Sequence, residues 1–385
     1  MAKQEAKQFN KKKQRKSFQS SRKPAADARL SARESDFSQH HNPVGGDNDV
    51  RWYAANPQLI KDTASYPFQF PLGTKHNLGG DDKYISASSV PGVCAIHWDP
   101  SIGMADDEID AVNIAMRNIY SFIRHANSGK TNYEAPDLML YLLAMSDILG
   151  YHAALKRIYG VAMTYSHTNR YVPKAIVEAL GVDYEDIQMH LCELRGYINT
   201  FAVRIGSFCV PASMPYIARH VWMNSHIYVD SDQDKPQIYT YVQDHFFRFG
   251  LDDTPAGKLF FEGFSPRQIK QIGSFDDTAA PTKGLRFDEL AAFGNSLLAP
   301  IIASEDFGIM SGDILKAYTP AEVYRVELIP ENYVVMAEYS EEVLDQINNA
   351  TLFGINSDNI GVGDDMAITQ TTGLNQGYLV EKPVS

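Results

Sequence analysis

Three short motifs in this 385-residue chain use residue types that hold metals or phosphates in other settings. Gly363-Asp364-Asp365 carries the adjacent carboxylates with which nucleotide polymerases hold divalent cations against a triphosphate. That chemistry also needs an aspartate-bearing strand upstream and a Ser-Gly followed at fixed spacing by Thr and Asn. Ser311-Gly312 runs instead into DILK, and Gly79-Gly80-Asp81-Asp82 lacks the same companions. Ser128-Gly129-Lys130-Thr131 looks like the end of a phosphate-binding loop, but Arg124 stands where its first glycine is required. Asp230, Asp232 and Asp234 are spaced like the opening of a calcium loop. Its sixth and twelfth positions would be Lys235 and Tyr241, where glycine and a bidentate glutamate are needed. Asp230–Lys235 therefore reads as a solvated acidic turn.

The remaining reactive side chains make no constellation. His97, His125, His152, His167, His190, His220, His226 and His245 never form H-E-x-x-H, and His190 and Cys192, two apart on one helix, face different ways. His220 and His226 flank a helix end and read as structural histidines. Cys94, Cys192 and Cys209 lie in apolar stretches without C-x-x-C spacing and are expected to be buried free thiols. No G-x-S-x-G elbow is present. No catalytic residue, metal site or cofactor is expected, and the chain does not read as an enzyme.

Charge is the stronger signal. Residues 1–23 hold Lys3, Lys7, Lys11, Lys12, Lys13, Arg15, Lys16, Arg22 and Lys23 against the single acid Glu5, a net of +8. The other 26 basic and 46 acidic residues leave −20 on 24–385. A basic arm on an acidic body binds polyanions with the arm while the body repels them. Residues 1–50 are too poor in aliphatic side chains to offset their ordering entropy, so they read as a disordered arm. Each phosphate neutralised by those nine cations would steepen the salt dependence of nucleic-acid binding by about 0.7–0.9 log units per log of salt. With no scaffold for reading bases, the binding expected is sequence-independent.

Behind the arm the chain divides into an extended Pro/Gly-rich stretch (51–104), a helical core (105–225), a hairpin with an aromatic-rich connection (226–286) and a region of helices and strands (287–385). Ile109, Val112, Met116, Ile119 and Ile123 predict a helix from near Asp106, with Asp107 and Glu108 in its first turn. Pro136 opens a second helix to about Arg157, apolar on most faces and hence buried on several sides. Ile187, Leu191, Leu194, Ile198, Phe201 and Ile205 predict one helix over Asp183–Ile205, and Pro215 starts another. No run reaches 18 consecutive apolar residues, so no membrane anchor is expected. Residues 243–286 read as a looser region whose phenylalanines pack. Phe287–Ala303 and Glu305–Tyr318 read as helices meeting near Ser304, Glu322–Glu338 as strands, and Ser340 as the cap of a short helix to Ile347. The fold class expected is predominantly α-helical (α+β).

Arg219–Val242 organises the rest: a helix carrying Trp222, then strand candidates His226–Val229 and Gln237–Val242 around the acidic turn. Aromatic-rich and poor in charge outside its turn, it has the composition of an interface core. Arg219, Val221, Trp222, Ile227, Tyr228, Ile238, Tyr239 and Tyr241 are the expected interface or core residues, and a buried Trp222 would cost about 3–5 kcal/mol to truncate.

Arg219-His220-Val221-Trp222-Met223, Tyr228-Val229-Asp230-Ser231 and Gln237-Ile238-Tyr239 resemble the central block of picobirnavirus capsid proteins, and Leu194-Arg195, the Pro211–Tyr216 run and the basic arm fit the same frame. The resemblance is specific over about 185–245, and the chain is shorter than the capsid proteins of that family. It implies a mainly α-helical viral capsid shell protein with a smaller β-containing part, homodimers assembling in the host cytoplasm into an icosahedral virion, and double-stranded RNA as cargo. From charge alone, a cellular RNA-associated scaffold or chaperone with a helical body is the alternative.

Overall fold

The computed structural model describes residues 75–76, 88–89, 93–127, 133–164, 171–230, 237–251, 256–264, 284–348, 367–371 and 377–381. All belong to one compact unit, Phe68–Asp230 with Gln237–Ser385; the second unit, Met1–Pro67 with Ser231–Pro236, lies outside the described residues. So do the nine cations of the arm, both Gly-Asp-Asp motifs, Ser128–Thr131 and Asp232 to Lys235.

In chain order the elements are β1 (Lys75–His76), β2 (Ser88–Ser89), β3 (Val93–Trp98), α1 (Ala111–Ala126), α2 (Ala135–Ala162), α3 (Tyr171–Ala179), α4 (Tyr184–Met189), α5 (Leu191–Ile205) and α6 (Pro215–Ser225). There follow β4 (Ile227–Val229), β5 (Ile238–Gln243), β6 (His245–Leu251), β7 (Gly257–Gly263), α7 (Phe287–Ala303), α8 (Glu305–Ala317), β8 (Ala337–Tyr339), α9 (Glu341–Asn348), β9 (Thr369–Gln370) and β10 (Leu379–Val380). The fold is predominantly helical with small sheets, as expected.

The core is built around α2. Leucine, methionine and alanine make it a strong helix former, Pro136 sits in its first turn, and Glu134 and Asp137 form a reciprocal capping box. By length and composition it could cross a membrane, but here the other elements enclose it. It packs against α1, α3, α5, α6, α7 and β6. Tyr151, fully buried, meets the rings of Phe201, Phe246, Phe264 and Phe293 at centroid distances of 5.4–6.3 Å and donates its hydroxyl to the Leu290 carbonyl at 2.7 Å. The phenylalanines beyond the hairpin thus pack, as their sequence suggests.

The main sheet has the order β3-β5-β4-β8. β4 and β5 form the expected antiparallel pair, Tyr228 opposite Tyr239, while β3 and β8 add parallel edges that no local signal announces. β6 and β7 form a separate antiparallel pair inside the region expected to be loose.

Several expectations need correction. The helix expected from Asp106 begins at Ala111, so Asp107 and Glu108 precede its first turn and Ile109 is exposed. Asp110 instead closes the preceding loop, its carboxylate accepting from the Asp106 and Asp107 amides. The helix expected over Asp183–Ile205 breaks at His190, whose ring Nδ1 lies 2.8 Å from the Asp186 carbonyl. Asp183 caps the first piece. Within Glu322–Glu338 an isolated antiparallel bridge joins Val323 to Pro211, and a strand forms only from Ala337. The alternating stretch before it lies across helices, and side chains satisfy much of its backbone: Asn199 clasps both the amide and carbonyl of Ile329, and Tyr159 donates to the Glu331 carbonyl. A Cβ at Gly160 would stand 2.5 Å from Val335, so only glycine admits this crossing. The cysteines are not buried. Cys94 is exposed on edge strand β3, Cys192 faces solvent in the first turn of α5, and Cys209 is half-buried.

The boundaries at Pro136, Pro215, Ser304 and Ser340 stand where the sequence puts them. Ser304 and Ser340 accept from the Phe307 and Val343 amides, each at 3.4 Å.

Candidate assembly interface

Helix α6 carries the organising stretch, and its two faces differ. Pro215 fixes its start, and extended backbone at His226 ends it. Its last carbonyls are met from within the core: buried Arg157 of α2 donates from Nη1 to the Met223 and His226 carbonyls at 3.1 and 3.4 Å. A cation at the negative end of the helix dipole stabilises both. Burial pulls the guanidinium down to about 10, which leaves it charged at neutral pH.

The inner face buries Ile217, His220 and Asn224. The His220 ring lies between Trp98 and Tyr216, 4.9 and 4.1 Å away. Its Nδ1 is 3.2 Å from Ser146 Oγ and 3.8 Å from Asp147 Oδ1. Asp147 accepts from the Phe247 amide at 2.5 Å and from Gln243 Nε2 at 3.3 Å, and Gln243 Oε1 accepts from Asn224 at 2.8 Å. Burial pushes Asp147 up to about 7 and His220 down to about 4, so the imidazole is neutral near neutrality and the carboxyl holds its proton only below about pH 7. Ser146, His220 and Asp147 are not a nucleophilic triad. Both oxygens address one ring nitrogen, whereas proton relay needs the serine and the carboxylate on opposite nitrogens. Among the described residues no group of three or more His, Cys, Asp or Glu is placed to hold a metal.

The outer face is partly open. Trp222 is half-buried, with the Arg219 guanidinium 4.2 Å over its ring and Tyr228 and Tyr241 at 5.2 and 6.3 Å. Arg219 Nη1 donates to Glu342 on α9 at 2.6 Å, and Tyr241 donates to Gln346 at 2.8 Å. His226 faces Glu338 at 3.2 Å.

The expected interface residues therefore separate into two sets. Ile227, Tyr228, Ile238, Tyr239 and Tyr241 are buried within this chain, while Arg219, Val221 and Trp222 are half-buried. The full truncation cost of a buried tryptophan does not apply to Trp222. Asp147 and Arg157 were missed as organising residues, although charged residues in the middle of so greasy a helix were a readable signal.

Residues 52–385 match the picobirnavirus capsid protein family. The chain is 31% identical over 349 residues to the capsid protein precursor of human picobirnavirus (strain Human/Thailand/Hy005102/-), an alignment covering 87% of this chain and 61% of that protein. It is also similar to the X-ray crystallographic structure of the picobirnavirus capsid, with a TM-score of 0.64 and 25% identity, over 86% of this chain and 63% of the other. The chain thus spans less than two thirds of the length of either relative. The fold and the match along most of its length lead to one conclusion: this protein belongs to the picobirnavirus capsid protein family.

Proposed function

We propose that the chain is a structural subunit that self-assembles, as dimers, into an icosahedral shell and packages viral double-stranded RNA without sequence preference. The observation that carries the RNA part is the charge split, +8 on residues 1–23 against −20 on the remainder. Lys3, Lys7, Lys11, Lys12, Lys13, Arg15, Lys16, Arg22 and Lys23 are the phosphate-binding set, on an arm spanning 1–50. Many weak phosphate contacts gathered inside one shell gain by avidity, so a short arm suffices. Residues 51–104 serve as an extended connection, 105–225 as the helical shell core, and 226–286 and 287–385 complete the body. In the organising stretch Arg219, Val221 and Trp222 are the contact residues, held in place by the buried strand residues beneath. The protein functions in the virion, after assembly in the host cytoplasm.

Negative-stain electron microscopy of the expressed chain tests the reading. Closed shells are expected, and deletion of residues 1–23 is expected to leave folding intact while most co-purified RNA is lost. A chain that stays monomeric at high concentration across salt and pH would overturn the assembly role. A small defined oligomer that binds RNA without closing a shell would favour the scaffold or chaperone alternative.

A further inference from the structure

Helix α8 has two stripes where an ordinary surface helix has one. Phe307, Met310, Ser311 and Ile314 form the buried inner stripe. Glu305, Gly308, Ile309, Gly312, Leu315 and Lys316 recur at three- and four-residue intervals on the opposite side, and all are exposed. An outward helix face is normally polar along its length. Here charge is confined to the two ends, and the middle presents Ile309 (39% exposed) and Leu315 (50%) beside two glycines. Glycine within a helix costs stability, and these two serve no close approach inside the chain: a Cβ on either would meet nothing within 4 Å. The apolar surface continues onto α1, which packs beside α8 and whose Phe122 is 51% exposed, its ring 5.0 Å from that of Tyr318.

The end charges identify the occupant. Glu305 lies four residues before Ile309, and Lys316 four residues after Gly312. In an antiparallel pair of these helices, any register that sets Ile309 of one copy over Gly312 of the other must also set Glu305 of one against Lys316 of the other. Two-fold symmetry then repeats the knob-in-notch contact and the ion pair. Neither Glu305 nor Lys316 has an ion-pair partner among the described residues, so both are available.

We propose that the outward face of α8 is a two-fold contact with a second copy of this chain, antiparallel, in which Ile309 of each copy fills the notch at Gly312 of the other and Glu305 of each faces Lys316 of the other. This rests on the self-assembly proposed above and names one of its contacts.

Charge reversal in the full chain tests it. Glu305→Lys and Lys316→Glu each set like charges against each other twice, and each is expected to weaken self-association about tenfold in sedimentation equilibrium. Co-expression of the two single variants restores opposite charges at both positions of a mixed pair, so near wild-type association is expected, as it is for the double variant E305K/K316E. Glu305→Gln, which removes a charge without reversing it, should weaken association less and controls for folding. If wild type associates but the single variants match it, or co-expression fails to rescue them, the contact is wrong, and α8 is covered by a segment of the same chain or by a different partner. A wild-type chain that never associates overturns the contact together with the assembly reading.

Discussion

Only Ala135, Asp137 and Lys156 of α2 reach even partial exposure, whereas α8 buries one stripe and leaves the other to solvent. The two helices show how surroundings rather than propensity set what a helix must contain. α2 has little water within reach, and two of the ionisable groups it encloses are tied to fixed partners: Asp147 to the Phe247 amide and Gln243, Arg157 to the end of α6. In α8 the inner stripe resembles a short piece of α2, while its outer glycines and aliphatics stay exposed on the single chain.

Replacing Tyr151 with Ala would break this contrast at its strongest point. It removes the hub of the aromatic cluster and should cost about 3–5 kcal/mol in chemical denaturation. A loss below about 1 kcal/mol would mean that the cluster collapses around the gap and α2 is less enclosed than its packing indicates.

Asp147 offers a sharper measurement. Burial raises it from an ordinary 3.8 to about 7, so its contribution to stability is complete below pH 3.8 and is lost as pH rises through 7. His220 is shifted from 6.5 down to about 4, so its contribution is complete above pH 6.5 and is lost as pH falls through 4. From about pH 4 to 6.5 the two oppose each other. Asp147→Asn removes the first, and stability should then fall with decreasing pH by about 1.4 kcal/mol per pH unit more steeply than in wild type. Equal slopes in the two proteins would show that the buried carboxyl does not hold its proton.

The smallest effect belongs to α8. Leu315→Ser should change thermal stability of the unassociated chain by no more than about 0.5 kcal/mol. A much larger loss would place that side chain under cover and erase the distinction between the two helices.

Legibility in the sequence followed the range of the interaction. Pro136, Pro215, Ser304 and Ser340 act within one helical turn, and each marks a boundary in the fold. The break at His190 was hidden because the 4-3-4-3-4 apolar spacing continues across it; a kink can leave the buried face in register. Glu322–Glu338 alternates as a strand would, yet the Asn199 and Tyr159 side chains stand in where a partner strand would be. For β3 and β5, Val93 meets Ile238 across most of the helical body, and a parallel pairing at that separation leaves no mark nearby. In the organising stretch the aromatic composition was legible, but composition alone does not say which residues the chain covers itself: Tyr228 and Tyr241 are covered, and Trp222 only in part.

The closure of the body has a consequence for the order of synthesis. Asn113 on α1 donates to the Leu379 carbonyl and accepts from the Leu379 amide across 266 positions, Ala105 bridges to Glu381, and Glu381 holds the Ile102 amide at 2.7 Å. β3 and β4 meanwhile wait for β5, and β4 also for β8. A chain leaving the ribosome can condense α1 to α6 early, because their contacts are comparatively local. The sheet cannot gain its last strand before Tyr339 emerges, and the clasp on α1 cannot close before Glu381. Contacts of such sequence separation fold slowly. The sheet and the clasp are therefore completed late, after the helices on which they close.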